Sequence, residues 1–207
     1  MKIMYIESKL KNLKLDLSNS EINKLPKKLI LVYTIQYKEV AESVKKQLEK
    51  NKIKISQFQQ VLGCSKLNNK LNLPILIIGT GQFHSLNLYT QTSSIFTLDG
   101  SKIHQIPAEE IERIKQKKKA SLAKFLNAEN IGILVSTKPG QENLEKAIKL
   151  KKSLEKNKKQ VYIFISDNID ITQFENFNID SWVNTACEGL SMDNSDVINY
   201  SEVLSYI

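Results

Sequence analysis

Two short stretches hold the only thiols of this 207-residue chain: QQVLGCS (59–65), with Cys64, and WVNTACEGL (182–190), with Cys187. Each follows a strand-like run, which places each sulfur on the loop leaving a strand. Two such thiols could form a disulfide, sit inert in a core, or bind a metal. The start, MKIMYIESKLKN, lacks the apolar core of a signal peptide. The expected compartment is therefore the cytoplasm, where a structural disulfide does not persist. Structural zinc sites show C-x-x-C pairs, and none is present. Cys64, Cys187 and His84 could still make a three-ligand site in space. An iron–sulfur cluster takes three or four thiolates, and this chain offers two. The inert reading stays open, since a free cysteine behaves as a small buried hydrophobe.

Three other segments have chemical potential. GTGQFHS (79–85) brings Gly79, Gly81, Phe83 and His84 after a strand, but lacks the third glycine of a dinucleotide fingerprint. His84 suits a capping role and a functional one equally, and His104 sits in no motif. STKPGQ (136–141) offers the hydroxyls of Ser136 and Thr137, the Lys138 cation, and Gly140, where the backbone can approach a ligand at a following helix N-terminus. It is not a Walker loop, and an ordinary βα turn built on Pro and Gly competes with the functional reading. TIQY (34–37) occupies the matching place in the first half. No Ser-His-Asp or paired-carboxylate arrangement is visible.

These loops need strands to hold them. KKLILVYT (27–34), KIKISQF (52–58), PILIIGT (74–80) and SIFTLD (94–99) read as strands, with a helix over EVAESVKKQLEKN, where Val40, Val44 and Leu48 recur at helical spacing. The second half reads as a helix opened by Pro107 (107–128), strands at 130–136, 160–166 and 181–186, a helix at 144–157, and a closing turn and helix. The segments 28–56 and 130–166 repeat one β-α-β pattern in order and spacing. The expected fold class is α/β: two related Rossmann-like three-layer units with mainly parallel sheets, at 24–106 and 107–207. Residues 1–23, with a lone strand at 3–8 and a polar connector, read as the remnant of a missing first domain. One cysteine per unit suggests that a third unit would supply a third. Ligands of such sheets bind at the carboxyl ends of the strands, and both cysteines, TIQY, GTGQFHS and STKPGQ all lie there.

Net charge is +8, from 30 Lys+Arg against 22 Asp+Glu, yet Arg113 is the only arginine. Phosphate and base recognition favour arginine's fork, so a solvated lysine surface fits better than a dedicated polyanion site. RIKQKKKASLAK would suit an acidic protein as well as RNA. No apolar run is long enough to span a membrane, and no membrane partner is expected.

Taken together, TIQY, QVLGCS, IGTGQFHS and STKPGQ followed by WVNTAC resemble the archaeal diphthamide synthase family, over residues 24–207. The resemblance implies three related α/β domains around a 4Fe–4S cluster, each giving one cysteine, with S-adenosylmethionine at the open iron. A 3-amino-3-carboxypropyl radical from that cofactor is transferred to a histidine of translation elongation factor 2. Carried over by motif, Cys64 and Cys187 are the ligands from the second and third domains. Gly79, Gly81, Phe83 and His84 line one side of the S-adenosylmethionine pocket, and Ser136, Lys138, Gly140 and Gln141 another; Gln36 matches the equivalent loop of the earlier repeat. The departures are the absent first domain and Glu188-Gly189 where the family continues with proline and arginine. The expectation is the C-terminal part of a split diphthamide synthase, active with a separate N-terminal fragment carrying the third cysteine. A homo-oligomer of that assembly stays open. The alternatives are a non-catalytic accessory subunit and a lysine-rich RNA-binding module.

Overall fold

The computed structural model describes residues 15–79, 88–92 and 94–207, with positions 4, 6, 8, 10 and 13. The strand expected at 3–8 falls largely outside the described residues; positions 4, 6 and 8 belong to no strand. The chain forms two compact units, Met1–Lys115 and Gln116–Ile207. The fold is α/β with mainly parallel sheets. Among the described residues no helix is long and apolar enough to cross a membrane.

In the first unit, strands β1 (Lys28–Tyr33), β2 (Lys54–Gln60), β3 (Ile75–Ile78), β4 (Ile95–Asp99) and β5 (Lys102–Gln105) form one sheet in the order β2-β1-β3-β4-β5. All pairs are parallel except β4 with β5. The unbroken apolar run of β1 follows from burial on both faces. Leu29, Leu31 and Tyr33 pack with Val40, Ala41, Val44 and Leu48 of helix α2 (Lys38–Lys50), while Ile30 and Val32 join a second cluster with Ile75, Ile77, Tyr89 and Ile111. Ile111 belongs to the long helix α3 (Ala108–Asn127), within which the division between units falls.

Residues 15–25, expected as a polar connector, are part of this core. Leu17, Ile22 and Leu25 are buried, the last two around the short helix α1 (Asn19–Ile22). Gln47 fixes the segment to α2: its Oε1 accepts from Leu17 N at 2.9 Å and its Nε2 donates to Leu15 O at 2.8 Å. Glu21 reaches the Ile103 backbone N–H of β5 at 2.6 Å. That bond, with the Lys24 ammonium second, holds the Glu21 carboxyl below the ordinary range.

In the second unit, β6 (Asn130–Ser136), β7 (Gln160–Ser166), β8 (Ser181–Asn184) and β9 (Val197–Asn199) pair in parallel, in the order β7-β6-β8-β9. Ile131, Ile133 and Val135 face Ala147, Leu150 and Leu154 of helix α4 (Leu144–Lys156) and Phe125 of α3. On the other face the segment 169–179 covers the sheet with Phe174 and Ile179, packed around Phe164 and Trp182. Gly132 is required there, because a Cβ on it would lie 2.4 Å from the Trp182 ring.

The two halves end their helices identically. In α2 the N–H groups of Lys52 and Ile53 donate to Glu49 O and Leu48 O; in α4 those of Lys158 and Lys159 donate to Glu155 O and Leu154 O. Both are Schellman caps, with Lys52 (φ 63°) and Lys158 (φ 62°) in the left-handed position that glycine usually fills. The first cap also explains why β2 starts two residues later than expected. The Ile53 N–H is spent on the helix, so the ladder begins at Lys54, which donates to Lys27 O at 2.8 Å. Two strands escaped the sequence reading, β5 and β9. The first follows Gly100, whose φ of 54° makes the tight β4–β5 turn.

Candidate functional site at the strand ends

Parallel strands that leave a central strand in opposite directions open a crevice at their carboxyl ends. In the first sheet that point lies between β1 and β3, and in the second between β6 and β8. Among the described residues expected at the site, Gln36, Cys64 and Gly79 belong to the first unit and Ser136, Lys138, Gly140, Gln141 and Cys187 to the second.

In the first unit Thr34 and Gly79 continue β1 and β3, and Thr34 N donates to Ile78 O at 3.0 Å. A Cβ on Gly79 would lie 2.8 Å from Thr34 Cγ2 and 2.9 Å from its Oγ1. Gly79 is thus required by contact with a buried threonine, whatever else approaches it. Gln36 is exposed in a 3-10 turn after β1, and its carbonyl accepts from Leu10 N at 3.1 Å. A cavity of about 580 Å³ opens beside these ends, lined among others by Tyr37, Ile78, Gly79, Asp99 and Glu110. Gly81, Phe83 and His84 lie outside the described residues.

Cys64 occupies the third position of a turn, Leu62 to Ser65, after β2. Ser65 N donates to Leu62 O at 3.0 Å and Leu62 N donates to Ser65 Oγ at 2.8 Å. The turn presents Cys64 exposed and free, so the reading as an inert core thiol does not hold.

In the second unit STKPGQ is a type II turn. Pro139 and Gly140 are its central pair, Gly140 has φ 79°, and Gln141 N donates to Lys138 O at 3.0 Å. The left-handed angle alone accounts for Gly140. Ser136 is buried and accepts from Lys138 N at 3.1 Å, whereas the Lys138 side chain is exposed. Thr137 donates to the Asp167 carboxylate across the ends of β6 and β7. The helix does not begin at this turn: α4 starts at Leu144, so backbone donors of its first turn are not those of 138–141.

Sequence reasoning missed three asparagines. Asn143, at the N-cap of α4, caps nothing with its side chain; its Nδ2 donates to Gln141 O at 3.2 Å and to Thr185 O at 2.8 Å. That links the 136–143 loop to the strand end leading to Cys187. Asn184 and Asn199, both buried, hydrogen-bond each other at 2.8 Å beside the Cys187 loop. Amides have no diagnostic spacing, so only the fold could reveal them. Cys187 itself is half-buried and free.

Thiolates are the donors an iron–sulfur cluster takes, but a cubane needs at least three. The chain has two cysteines, one per unit, and among the described residues no three His, Cys, Asp or Glu converge on a metal position. Two thiolates are one short of the three a cubane takes.

The family described as "Putative diphthamide synthesis protein" matches residues 1–204. The 2-(3-amino-3-carboxypropyl)histidine synthase of Pyrococcus horikoshii is 28% identical over 183 residues, covering 84% of this chain and 54% of the relative. The enzyme of the same name from Methanocaldococcus jannaschii is 27% identical over 183 residues, covering 85% of this chain and 48% of the relative. The crystal structure of Dph2 from Pyrococcus horikoshii with 4Fe-4S cluster superposes with a TM-score of 0.73 at 28% identity, over 89% of this chain and 58% of that one. The chain therefore spans about half the length of the curated relatives it matches. With both thiols, Gly79 and the turn after β6 at the strand ends of two mainly parallel sheets, and with a family match along nearly its whole length, the chain belongs to the diphthamide synthesis protein family.

Proposed function

We propose that this chain is the C-terminal part of a diphthamide synthase and furnishes two of the three cysteine ligands of a 4Fe–4S cluster, Cys64 and Cys187. A separate N-terminal fragment brings the third. The assembled enzyme transfers a 3-amino-3-carboxypropyl group from S-adenosylmethionine to a histidine of translation elongation factor 2, by radical chemistry. The observation that carries this reading is the state of the two thiols: both are free, neither is fully buried, and each leaves the carboxyl end of a parallel strand. A family member solved with a 4Fe-4S cluster gives such thiols a use. The two cysteines of these 207 residues leave one thiolate to come from outside them.

The chain's own residues hold and orient. By family motif, Gly79, Gly81, Phe83 and His84 belong to the S-adenosylmethionine pocket, with Gln36 from the loop of the earlier repeat. Ser136, Lys138, Gly140 and Gln141 belong to it by the same carry-over, and the exposed Lys138 ammonium suits the cofactor's carboxylate.

Anaerobic co-expression with a three-cysteine-completing fragment, followed by mass spectrometry of the elongation factor, tests the activity. Wild type should add the 3-amino-3-carboxypropyl mass, and Cys64→Ala and Cys187→Ala should each abolish it. Undiminished modification in both variants would instead support an accessory subunit.

A further inference from the structure

The last paired position of β8 and β9 sets Asn184 opposite Asn199. The two preceding pairs, Trp182 with Val197 and Val183 with Ile198, are apolar. Two amides at a position that is 2% exposed are an expensive choice where apolar side chains would serve the packing. They are tolerated only because their hydrogen-bonding groups are used.

Their partners share one location. Asn184 Oδ1 accepts from Ala186 N at 2.9 Å, and its Nδ2 donates to Cys187 O at 2.7 Å and Asn199 Oδ1 at 2.8 Å. Asn199 Nδ2 donates to Glu188 O at 3.2 Å and Ser191 Oγ at 2.7 Å, and Ser191 Oγ in turn donates to Glu188 O at 3.1 Å. Leu190 N closes the turn by donating to Cys187 O at 3.0 Å. Every residue from Ala186 to Glu188 has a backbone group held by this network. A fully satisfied buried network selects one geometry more sharply than apolar packing does.

We infer that Asn184 and Asn199 are positioning residues for Cys187, fixing the backbone that carries its thiol before any metal arrives. The inference rests on Cys187 being a cluster ligand. Preorganised ligands spare the ordering cost at binding. The Glu188 carboxylate is held by Ser201 Oγ at 2.9 Å, an anchor for the residue beside the thiol.

The test uses the metal-free 207-residue chain, so its outcome is independent of whether a cluster forms. Iodoacetamide alkylation of Cys187 and Cys64 is followed site by site by mass spectrometry under native conditions. Asn184→Asp keeps the shape and the acceptor for Ala186 N but removes both donated bonds. It should raise the Cys187 rate about tenfold and leave Cys64 unchanged, since losing buried hydrogen bonds opens the loop locally. Ser191→Ala, which removes the bonds of its Oγ to Asn199 Nδ2 and Glu188 O but leaves those to Cys187 O, serves if Asn184→Asp fails to fold, and should give a smaller rise. In the assembled enzyme, Asn184→Asp should also shift the electron paramagnetic resonance signal of the reduced cluster at unchanged iron content. A Cys187 rate within twofold of wild type in the folded variants overturns the inference. Loss of the cluster reading with accelerated Cys187 alkylation would leave the positioning intact and remove only its purpose.

Discussion

Asn143 Nδ2 lies 2.8 Å from the carbonyl oxygen of Thr185, joining the turn after β6 to the strand end that leads to Cys187. Thr185 is itself fixed to β6 by donating from both its N and Oγ1 to Leu134 O, at 3.1 and 2.8 Å. One side chain thus ties the lysine-bearing turn to the cysteine loop. Asn143→Ala should cost about 1 kcal/mol, or about 2–4 °C in Tm. Hydrogen exchange at residues 138–142 should accelerate while the β6 core stays protected; an unchanged loop pattern would show that the tie is idle.

The contact of Gly79 with Thr34 separates a packing role from a ligand role. Gly79→Ala should destabilise by about 1–3 kcal/mol through overpacking. Adding Thr34→Ala removes the two atoms the new methyl would meet and should recover most of that loss in urea unfolding. If Gly79 also faces S-adenosylmethionine, the double variant will fold yet bind the cofactor more weakly. A double variant no more stable than Gly79→Ala would contradict the contact.

Lys52 and Lys158 pay a conformational penalty in the same place of two matching caps. Replacing either by glycine should raise stability by about 1 kcal/mol, and the two gains should add because the sites lie in different units. Calorimetry of the single and double variants checks both statements; a loss on either substitution would refute the cap assignment.

Asp180 binds the start of β6, its Oδ2 accepting from Asn130 N at 2.8 Å and Glu129 N at 3.0 Å. The Asn130 bond is the main cause that holds its carboxyl below the ordinary range, against some desolvation. A carboxyl depressed in the folded state stabilises fully above its unfolded value of about 4 and loses that contribution as pH falls through the folded value. Asp180→Asn should therefore flatten the acid limb of the stability profile below about pH 4, leaving the slope at neutral pH unaltered. A variant whose acid limb matches wild type would exclude this linkage.

Much of this architecture is legible in residue pattern. Apolar runs such as LILVY and GILV, buried on both faces, announce central parallel strands, and Pro-Gly in STKPGQ announces its turn. What pattern could not reveal are short or context-made elements. β9 is three residues long, and β5 buries only Ile103 fully among its four. Leu15 and Leu17 lie among lysines and asparagines, and only Gln47 shows that they dock on α2. The site divides the same way: cysteines and glycine loops stand out by type, whereas Asn143, Asn184 and Asn199 acquire meaning only from what they touch.

The central claim is that Cys64 and Cys187 are two ligands of one cluster completed from outside these 207 residues. Iron and sulfide analysis with electron paramagnetic resonance, on the anaerobically reconstituted assembly and on this chain alone, tests it most directly. The account predicts about four irons per assembly with a reduced 4Fe–4S signal, lost in Cys64→Ala and in Cys187→Ala, and no such signal from the chain alone. A full cluster on the isolated chain, or one that survives both substitutions in the assembly, would contradict it.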